Sequence, residues 1–364
     1  MPFPLSTNSL KALPKGFALR VGLESLATPL RKPTGENFAA ILEAKLGRTI
    51  TEGFYLPYTR KIWGVDATQL AAEQARRRVS ADSPLKMIRR IASGSGGSGR
   101  SFWYPRRGYG QITEALAGAA SEAGADVRLG AQVDALALSD TEVEATLADG
   151  TGCTGDMVWS TLPITVLART CGAPPEVMDA ADSLRFRSMV LVYLVLPVPR
   201  YTEFDAHYLP EAWTPVTRIS EPKSYRDGDD PVQQTVLCAE IPCSLGDELW
   251  NSTDPQLGDI AVAALERSGL PGVDLDSLQT ARISHAYPIY DKDYETHFKV
   301  LDAWASAQPN LVSFGRQGLF AHDNLHHALA MAWAAADSLD DDGSWNSTRW
   351  STARRRFESH VVED

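Results

Sequence analysis

Residues 314–332 read Phe-Gly-Arg-Gln-Gly-Leu-Phe-Ala-His-Asp-Asn-Leu-His-His-Ala-Leu-Ala-Met-Ala. The preceding residues Asn-Leu-Val-Ser, which begin at Asn310, are typical of a short buried strand. Either Asp323 or Asn324 can cap a helix, which the alanine-rich sequence predicts from about Asn324 to Leu339. The segment therefore predicts a strand, a loop and a capped helix. Free amides at such a helix start can hold an anion or an electron-rich carbonyl, although the spacing alone favours a capped core helix.

The rest of the chain alternates irregularly between helical and β-rich patterns. Apolar spacing and capping residues predict helices over residues 36–48, 66–78, 112–124, 254–268 and 351–360. Turn residues separate three β-rich stretches in the pattern of a meander, at 126–138, 142–147 and 155–160. Further strands are predicted at 189–196 and 235–241. Two groups of β structure with chain crossovers indicate a two-domain α/β or α+β protein.

Composition excludes several classes of protein. The chain has 364 residues and a net charge of −11, which disfavours a general nucleic-acid or anionic-membrane surface because such surfaces need a positive field. Its four cysteines lack CxxC spacing, which indicates buried thiols in a reducing compartment. We find no signal-peptide pattern, no apolar run of membrane-spanning length, and no GxSxG, HExxH or Walker motif. The expectation is a cytoplasmic protein without a membrane span.

Several blocks of the sequence resemble flavin-dependent amine oxidases, protoporphyrinogen oxidases and UDP-galactopyranose mutases. Residues 314–332 resemble the C-terminal flavin signature of these relatives, roughly Gly-Arg-x-Gly-x-(Phe/Tyr) followed by a helix start. Four earlier blocks also resemble these families and occur in the families' order: Tyr55-Leu-Pro-Tyr-Thr-Arg-Lys-Ile-Trp-Gly, Phe102-Trp-Tyr-Pro-Arg-Arg-Gly-Tyr-Gly, Trp159-Ser-Thr-Leu-Pro and Ala286-Tyr-Pro-Ile-Tyr-Asp-Lys-Asp-Tyr. Each block alone is weak, and their shared order along most of the chain makes the resemblance specific.

The resemblance implies an α/β (α+β) fold in which a truncated glutathione-reductase-type FAD domain is interleaved with an amine-oxidase-like substrate domain. Residues 101–165 and 303–341 would form the remnant FAD domain with its β-meander, residues 1–100 and 166–302 the substrate domain, and 342–364 a polar tail. By the same likeness the cofactor is FAD. Its expected neighbours are Val133 beside the adenine and, beside the flavin ring, Gly315, Arg316, Asn324 and Leu325.

Six residues are candidates for substrate binding: Lys61, Trp63, Arg106, Arg107, Tyr287 and Tyr290. Paired guanidinium groups suit a carboxylate or diphosphate because the planar fork binds oxyanions bidentately, but each arginine alone also fits a solvated turn. Among the cations of residues 55–64, Lys61 is the best candidate for a functional role. The structural alternative is that Trp63 anchors the edge of the core while the neighbouring cations extend their charged ends into solvent. The tyrosines suggest the nucleotide-diphosphate grip of galactopyranose mutases. No residue stands out as a general base.

The sequence departs from the family at the dinucleotide-binding loop. Family members begin with a strand, a GxGxxG turn and a helix that seats the pyrophosphate, and no such pattern occurs here. The glycine-rich run 94–99 precedes an aromatic stretch and not a helix, so it does not suit phosphate. Three explanations stay open: the reading frame begins further upstream or the gene is truncated, a separate chain supplies the loop, or flavin has been abandoned.

Two functions follow from these alternatives. The first is an FAD-dependent oxidoreductase acting on a small organic or sugar-nucleotide substrate. The second is a flavin-free binding or partner subunit derived from the same fold. A metal site is not expected, because His326 and His327 project on different sides of a helix and no carboxylate or cysteine cluster is evident beside them.

Overall fold

The structure, a computed structural model, describes residues 15–27, 31–78, 103–357 and 360. The glycine-rich run 94–99 lies outside the described residues, as does the phenylalanine that opens the second resembling block. The helices, numbered in chain order, are α1 (Lys15–Ala27), α2 (Phe38–Leu46), α3 (Arg48–Ile50), α4 (Leu56–Trp63), α5 (Ala72–Arg78), α6 (Gly110–Glu122), α7 (Ile164–Thr170), α8 (Pro175–Ser183), α9 (Glu248–Asn251), α10 (Asp254–Arg267), α11 (Tyr294–Ala307), α12 (Gly315–Gly318), α13 (Leu325–Ala336) and α14 (Ser347–Phe357).

The strands are β1 (Val133–Leu138), β2 (Val143–Leu147), β3 (Gly152–Gly155), β4 (Val158–Ser160), β5 (Phe186–Leu196), β6 (Ala206–Tyr208), β7 (Arg218–Ser220), β8 (Thr235–Cys243), β9 (Ser277–Pro288) and β10 (Leu311–Ser313). A π-helical segment, Thr51–Tyr55, joins α3 to α4, and a 3-10 helix, Pro222–Tyr225, follows β7. Most predicted elements are present within a few residues of their expected ends. Two elements begin late. The strand predicted from 126 begins at Val133, and the helix predicted over 66–78 begins only at Ala72, because Leu70 is buried in an isolated bridge with Asp291.

The chain divides into two units, each assembled from three separate segments. Unit 1 comprises Met1–Thr68, Asp82–Arg128 and Arg187–Ala286, and unit 2 comprises Gln69–Ala81, Leu129–Phe186 and Tyr287–Asp364. Segments of the two units therefore alternate along the chain. Residues 103–128, which we expected beside the meander, belong to unit 1, while 166–186 and 287–302 belong to unit 2. Which unit binds flavin and which binds substrate stays a prediction.

Unit 1 is organised around a five-stranded sheet with the order β6-β7-β8-β5-β9. Strand β5 pairs antiparallel with β8 from Ser188 opposite Cys243 to Leu196 opposite Thr235. One face of the apolar run of β5 is fully buried and the other is half-buried, and Leu257, Ala261 and Leu265 of α10 pack against the buried face. An unbroken apolar strand is what a sheet covered on both faces requires.

Unit 2 contains the meander and a second, smaller sheet. Strands β1, β2 and β3 form the antiparallel meander, while β4 pairs in parallel with β10. The stretch predicted as one strand at 155–160 is therefore split, because Asp156 and Met157 carry the chain from one sheet to the other. Helices α7, α8 and α11 enclose a further core that includes Ile164, Leu301 and Phe320.

The C-terminal helix α14 is packed into unit 2. Trp350 and Phe357 are buried in a cluster with Val312, Phe314 and Met331. Part of the stretch predicted as a polar tail is thus core. Within the described ranges, no helix is both long enough and apolar enough to cross a membrane.

Candidate functional site

The segment that follows β10 makes a tight corner in unit 2. Strand β10 lies beside β4, and the Phe314 N–H donates to the Ser160 carbonyl at 3.1 Å. Gly315 then adopts a φ of +79°, a left-handed conformation that side chains with a Cβ rarely tolerate. At Gly318 an added Cβ would stand 2.8 Å from the Ser313 hydroxyl. The two glycines let the main chain turn sharply against the end of the small sheet.

A strained residue stands in the loop beyond the corner. Phe320 has a φ of +47° although it is not glycine, and its side chain is buried. The Tyr290 hydroxyl donates to the Phe320 carbonyl at 2.8 Å, and Tyr290 stacks on Tyr294 with ring centroids 4.0 Å apart. A conformation of this kind costs roughly 1–3 kcal/mol and persists only where packing fixes it. The aromatic cluster therefore sets the path from the corner to α13.

Helix α13 begins at the far side of this loop. Asn324, and not Asp323, is its N-cap, and His327 Nδ1 accepts from the Asn324 N–H at 3.2 Å. Asn324 and Leu325 are half-buried, so the helix start is partly accessible. The unsatisfied first-turn amides give this end a partial positive charge suited to a carbonyl or anion.

The structure brings together two of the residues predicted from the resemblance. The Arg316 guanidinium lies over the Tyr287 ring, 4.8 Å from its centroid, so a predicted flavin neighbour and a predicted substrate residue are in contact. Val133 packs at the edge of a cluster that contains Leu311 of β10. The first meander strand and the strand leading to Gly315 therefore share one core.

A group of titratable side chains surrounds the N-terminus of α13. His327 Nδ1 lies 3.5 Å from Asp323 Oδ1, and His360 Nδ1 lies 3.3 Å from Asp323 Oδ2. Burial lowers the pKa of His327, an effect that the Asp323 carboxylate opposes. The His322 ring nitrogen Nε2 bonds to the Gln74 side chain at 3.0 Å. The Asp323 carboxylate and His360 were not predicted as neighbours of His327, because the three side chains come together only in the folded chain.

The unit 1 candidates have mostly structural partners. The Lys61 Nζ donates to the main-chain carbonyls of Leu209, Glu211 and Val216, which matches its three N–H donors. Trp63 is buried, as expected of a side chain that anchors the edge of the core. Arg106 and Arg107 are both exposed. Contact of these four residues with a substrate stays a prediction.

The buried guanidinium of Arg187, which was not predicted from the sequence, contacts the main chain of Lys61 and Ile62. Arg187 donates from Nε to the Ile62 carbonyl at 3.0 Å, from Nη1 to the Ser244 hydroxyl at 2.8 Å, and from Nη2 to the Lys61 and Pro242 carbonyls at 3.2 and 3.1 Å. An added Cβ at Gly64 would meet Arg187 Nη1 at 2.9 Å, which explains the glycine. The sequence offers only a weak signal, two arginines, Arg185 and Arg187, at the head of an apolar strand.

The same region of unit 1 has an open pocket of about 300 Å³. Arg60, Lys61 and Arg187 line it together with Trp213. Their charges are already engaged, because Arg60 pairs with Asp66 at 2.6 Å and the other two bind carbonyls. The pocket therefore offers an aromatic wall and little free positive charge.

Comparison with known proteins identifies the family. The sequence model for flavin containing amine oxidoreductases matches residues 81–320, which is well over half of the chain. The chain belongs to this family. The resemblance stated from the sequence is thereby confirmed, and with it the mixed α/β fold of the flavin amine oxidoreductases.

Solved structures show the same fold. Reduced UDP-galactopyranose mutase superposes with a TM-score of 0.78 at 19% identity, covering 97% of this chain and 77% of the mutase. Cyclohexylamine oxidase from Brevibacterium oxydans IH-35A gives 0.56 at 12% identity, with coverages of 84% and 70%. The CLA-producing fatty acid isomerase from P. acnes gives 0.55 at 13%, with coverages of 84% and 73%. Among curated proteins none matches the sequence significantly.

One prediction concerns the ammonium group of Lys61. Burial lowers the pKa of the Lys61 ammonium to about 8 from 10.5, and nearby Glu211 opposes the effect. Between these values the unfolded chain holds a proton that the folded chain has lost, so the free energy of unfolding rises with pH. We expect wild type to gain stability relative to Lys61→Met from pH 8 to 10.5, measured by urea unfolding. A difference that stays flat or falls across that window contradicts the assignment.

Proposed function

We propose that this chain is the flavin-ring-binding part of an FAD-dependent oxidoreductase. The observation that carries the proposal is the corner in unit 2. There β10 ends in a left-handed glycine, and the loop leads to the partly accessible N-terminus of α13. Glycine main chain permits close approach of a flat ring, and helix-start amides favour an electron-rich carbonyl at the ring edge.

The residues at this corner suit such a group. An added Cβ at Gly315 would be in van der Waals contact with Thr161, whose Cγ2 would lie 3.6 Å away. Asn324 and Leu325 would hold the pyrimidine edge, Arg316 would lie beside the ring, and Val133 would contact the adenine. When bound, FAD supplies hydride acceptance from a C–N or C–C bond, or a redox-neutral isomerisation.

The chain's own contribution would be orientation and exclusion of water. The buried stack of Tyr290, Tyr294 and Phe320 keeps the loop rigid and dry behind the corner. Tyr287, held under the Arg316 guanidinium, would face a small organic or sugar-nucleotide substrate. An aromatic face and a guanidinium together suit a ring and an oxyanion.

The proposal includes a second polypeptide segment that supplies the dinucleotide-binding loop. Within the described residues, β4 and β10 form a parallel sheet of only two strands, whereas parallel sheets are normally wider and buried on both faces. Independently, α6 has no buried residue, and Leu116 is 42% exposed. Both features are those expected of elements that lack a covering layer.

Titration with FAD tests the proposal. The full chain is mixed with FAD, alone and after co-expression with the adjacent gene product or with the residues encoded immediately upstream. Flavin fluorescence and the visible absorbance band are followed. We expect retained flavin in at least one of these forms, and about tenfold weaker binding, or ~1.4 kcal/mol, in Gly315→Val.

Gly343→Val is the matched control. Gly343 has a φ of +82° and open space around it, so valine there imposes similar backbone strain away from the corner. Equal loss of flavin in both variants would assign the effect to general destabilisation. A colourless protein in every form would overturn the flavin proposal and favour the alternative, a flavin-free binding or partner subunit.

A further inference from the structure

The side chains at the N-terminus of α13 form a second cluster, beside the residues of the proposed flavin site. Asp323, His327 and His360 each offer one ligand atom, and these atoms lie within 4.8 Å of one another. The rings of His327 and His360 stack with centroids 4.2 Å apart and planes 16° from parallel. Both Nδ1 atoms face the Asp323 carboxylate, one towards each oxygen.

We propose that Asp323, His327 and His360 form a transition-metal site that takes Zn²⁺. Two imidazole nitrogens and one carboxylate oxygen are a donor set that zinc prefers, and three protein ligands leave a fourth position for water. Ligands 2.0–2.1 Å from a tetrahedral ion are separated by about 3.3 Å. The separations of His327 Nδ1 from Asp323 Oδ1, 3.5 Å, and of His360 Nδ1 from Asp323 Oδ2, 3.3 Å, are each close to that value, so either oxygen can serve as the carboxylate ligand.

The carboxylate supplies an independent observation. The Asp323 side chain is only 1% exposed, yet its Oδ1 accepts no hydrogen bond. A buried carboxylate oxygen without a hydrogen-bond donor is costly, and a cation between it and the imidazole would satisfy it. The long separation from His327 Nδ1 is poor hydrogen-bond geometry but leaves room for an ion.

The third ligand, His360, lies just beyond the C-terminal end of α14. Phe357 ends α14 in the buried cluster, and the His360 N–H donates to the Phe357 carbonyl at 3.2 Å. His360 is thereby turned towards α13. A bound ion would join the end of α14 to the start of α13 and act as a structural clip.

Binding has one local cost. The His327 Nδ1 lone pair accepts from the Asn324 N–H at 3.2 Å, so the ring must rotate to ligate an ion. This competition lowers the affinity without removing the site, because the first turn keeps the bond from the His327 N–H to the Asn324 carbonyl at 3.1 Å.

Zinc titration of tag-free, metal-stripped full chain tests the site. We expect one equivalent of Zn²⁺ to bind in isothermal calorimetry and to raise the thermal unfolding midpoint. His327→Ala, His360→Ala and Asp323→Asn should each weaken binding by about 100-fold or more, since even the loss of an outer-shell partner costs 10–100-fold. Circular dichroism confirms that each variant is folded.

His326→Ala is the matched control, because His326 is the neighbouring histidine but is exposed and outside the cluster. It should bind zinc as wild type does. Co²⁺ provides a second readout, since a tetrahedral site gives intense visible absorption that the three ligand variants should lose. Weak binding that is unchanged in those variants, or lost equally in His326→Ala, would overturn the proposal. Flavin plays no part in these measurements, so their outcome is separate from that of the proposed function.

Discussion

Replacing Arg187 by alanine is expected to lower the free energy of unfolding by about 3–5 kcal/mol. The guanidinium is 8% exposed and binds three main-chain carbonyls and the Ser244 hydroxyl. Its removal would leave those acceptors buried without donors, each at a cost of about 1–3 kcal/mol before relaxation. Arg187→Lys should restore little, because an ammonium cannot reproduce the planar fork.

Urea unfolding followed by tryptophan fluorescence measures this effect. Arg60→Ala is the matched control, since Arg60 lies in the same block but its ion pair with Asp66 is exposed on both sides. Its expected loss is below about 1 kcal/mol. Equal losses for the two arginines would show that the buried network does not stabilise the fold as argued.

The second large effect is expected at Trp350. Trp350→Ala should destabilise unit 2 by about 3–5 kcal/mol, because a buried aromatic ring is lost and a cavity remains. Trp350 packs edge-on to Phe314, with ring centroids 6.3 Å apart, and on Phe357 at 5.9 Å. Loss of this ring should loosen α14 and, through Phe314, the corner that begins at Gly315.

Proteolysis and urea unfolding together report this change. Trp333→Ala on α13 is the control, because Trp333 is 64% exposed and its loss should fall within about 0.5 kcal/mol. We expect early cleavage near α14 in the Trp350 variant alone. If both tryptophan variants unfold at the same urea concentration as wild type, the packing of α14 contributes nothing to stability.

Local patterns were sufficient for much of the fold. The strand before Gly315 and the capped helix after it follow from an apolar run, a glycine and an asparagine, which act over a few residues. The apolar strand β5 is equally evident. Helix α5 was predicted too long because its first turns are replaced by a long-range bridge between Leu70 and Asp291. Tertiary contacts of this kind leave no trace in local spacing.

The candidate site was less predictable for the same reason. The contact of Arg316 with Tyr287 was not foreseen, although both residues were singled out. Lys61 was predicted as a substrate cation, and its three carbonyl partners lie in a loop about 150 residues further along the chain. The cluster of Asp323 with His360 likewise depends on how α14 packs. Local sequence patterns do not show which residues far apart in the chain will come into contact.

The interleaving of the two units also bears on how the protein is made. Strand β4 emerges from the ribosome long before β10, its parallel partner, and the whole sheet of unit 1 is encoded between them. Pairings of such high sequence separation form slowly, because loop closure comes before any stabilising contact. During synthesis the edge of β4 stays open to other chains, so yield should respond strongly to chaperone supply and to lower growth temperature.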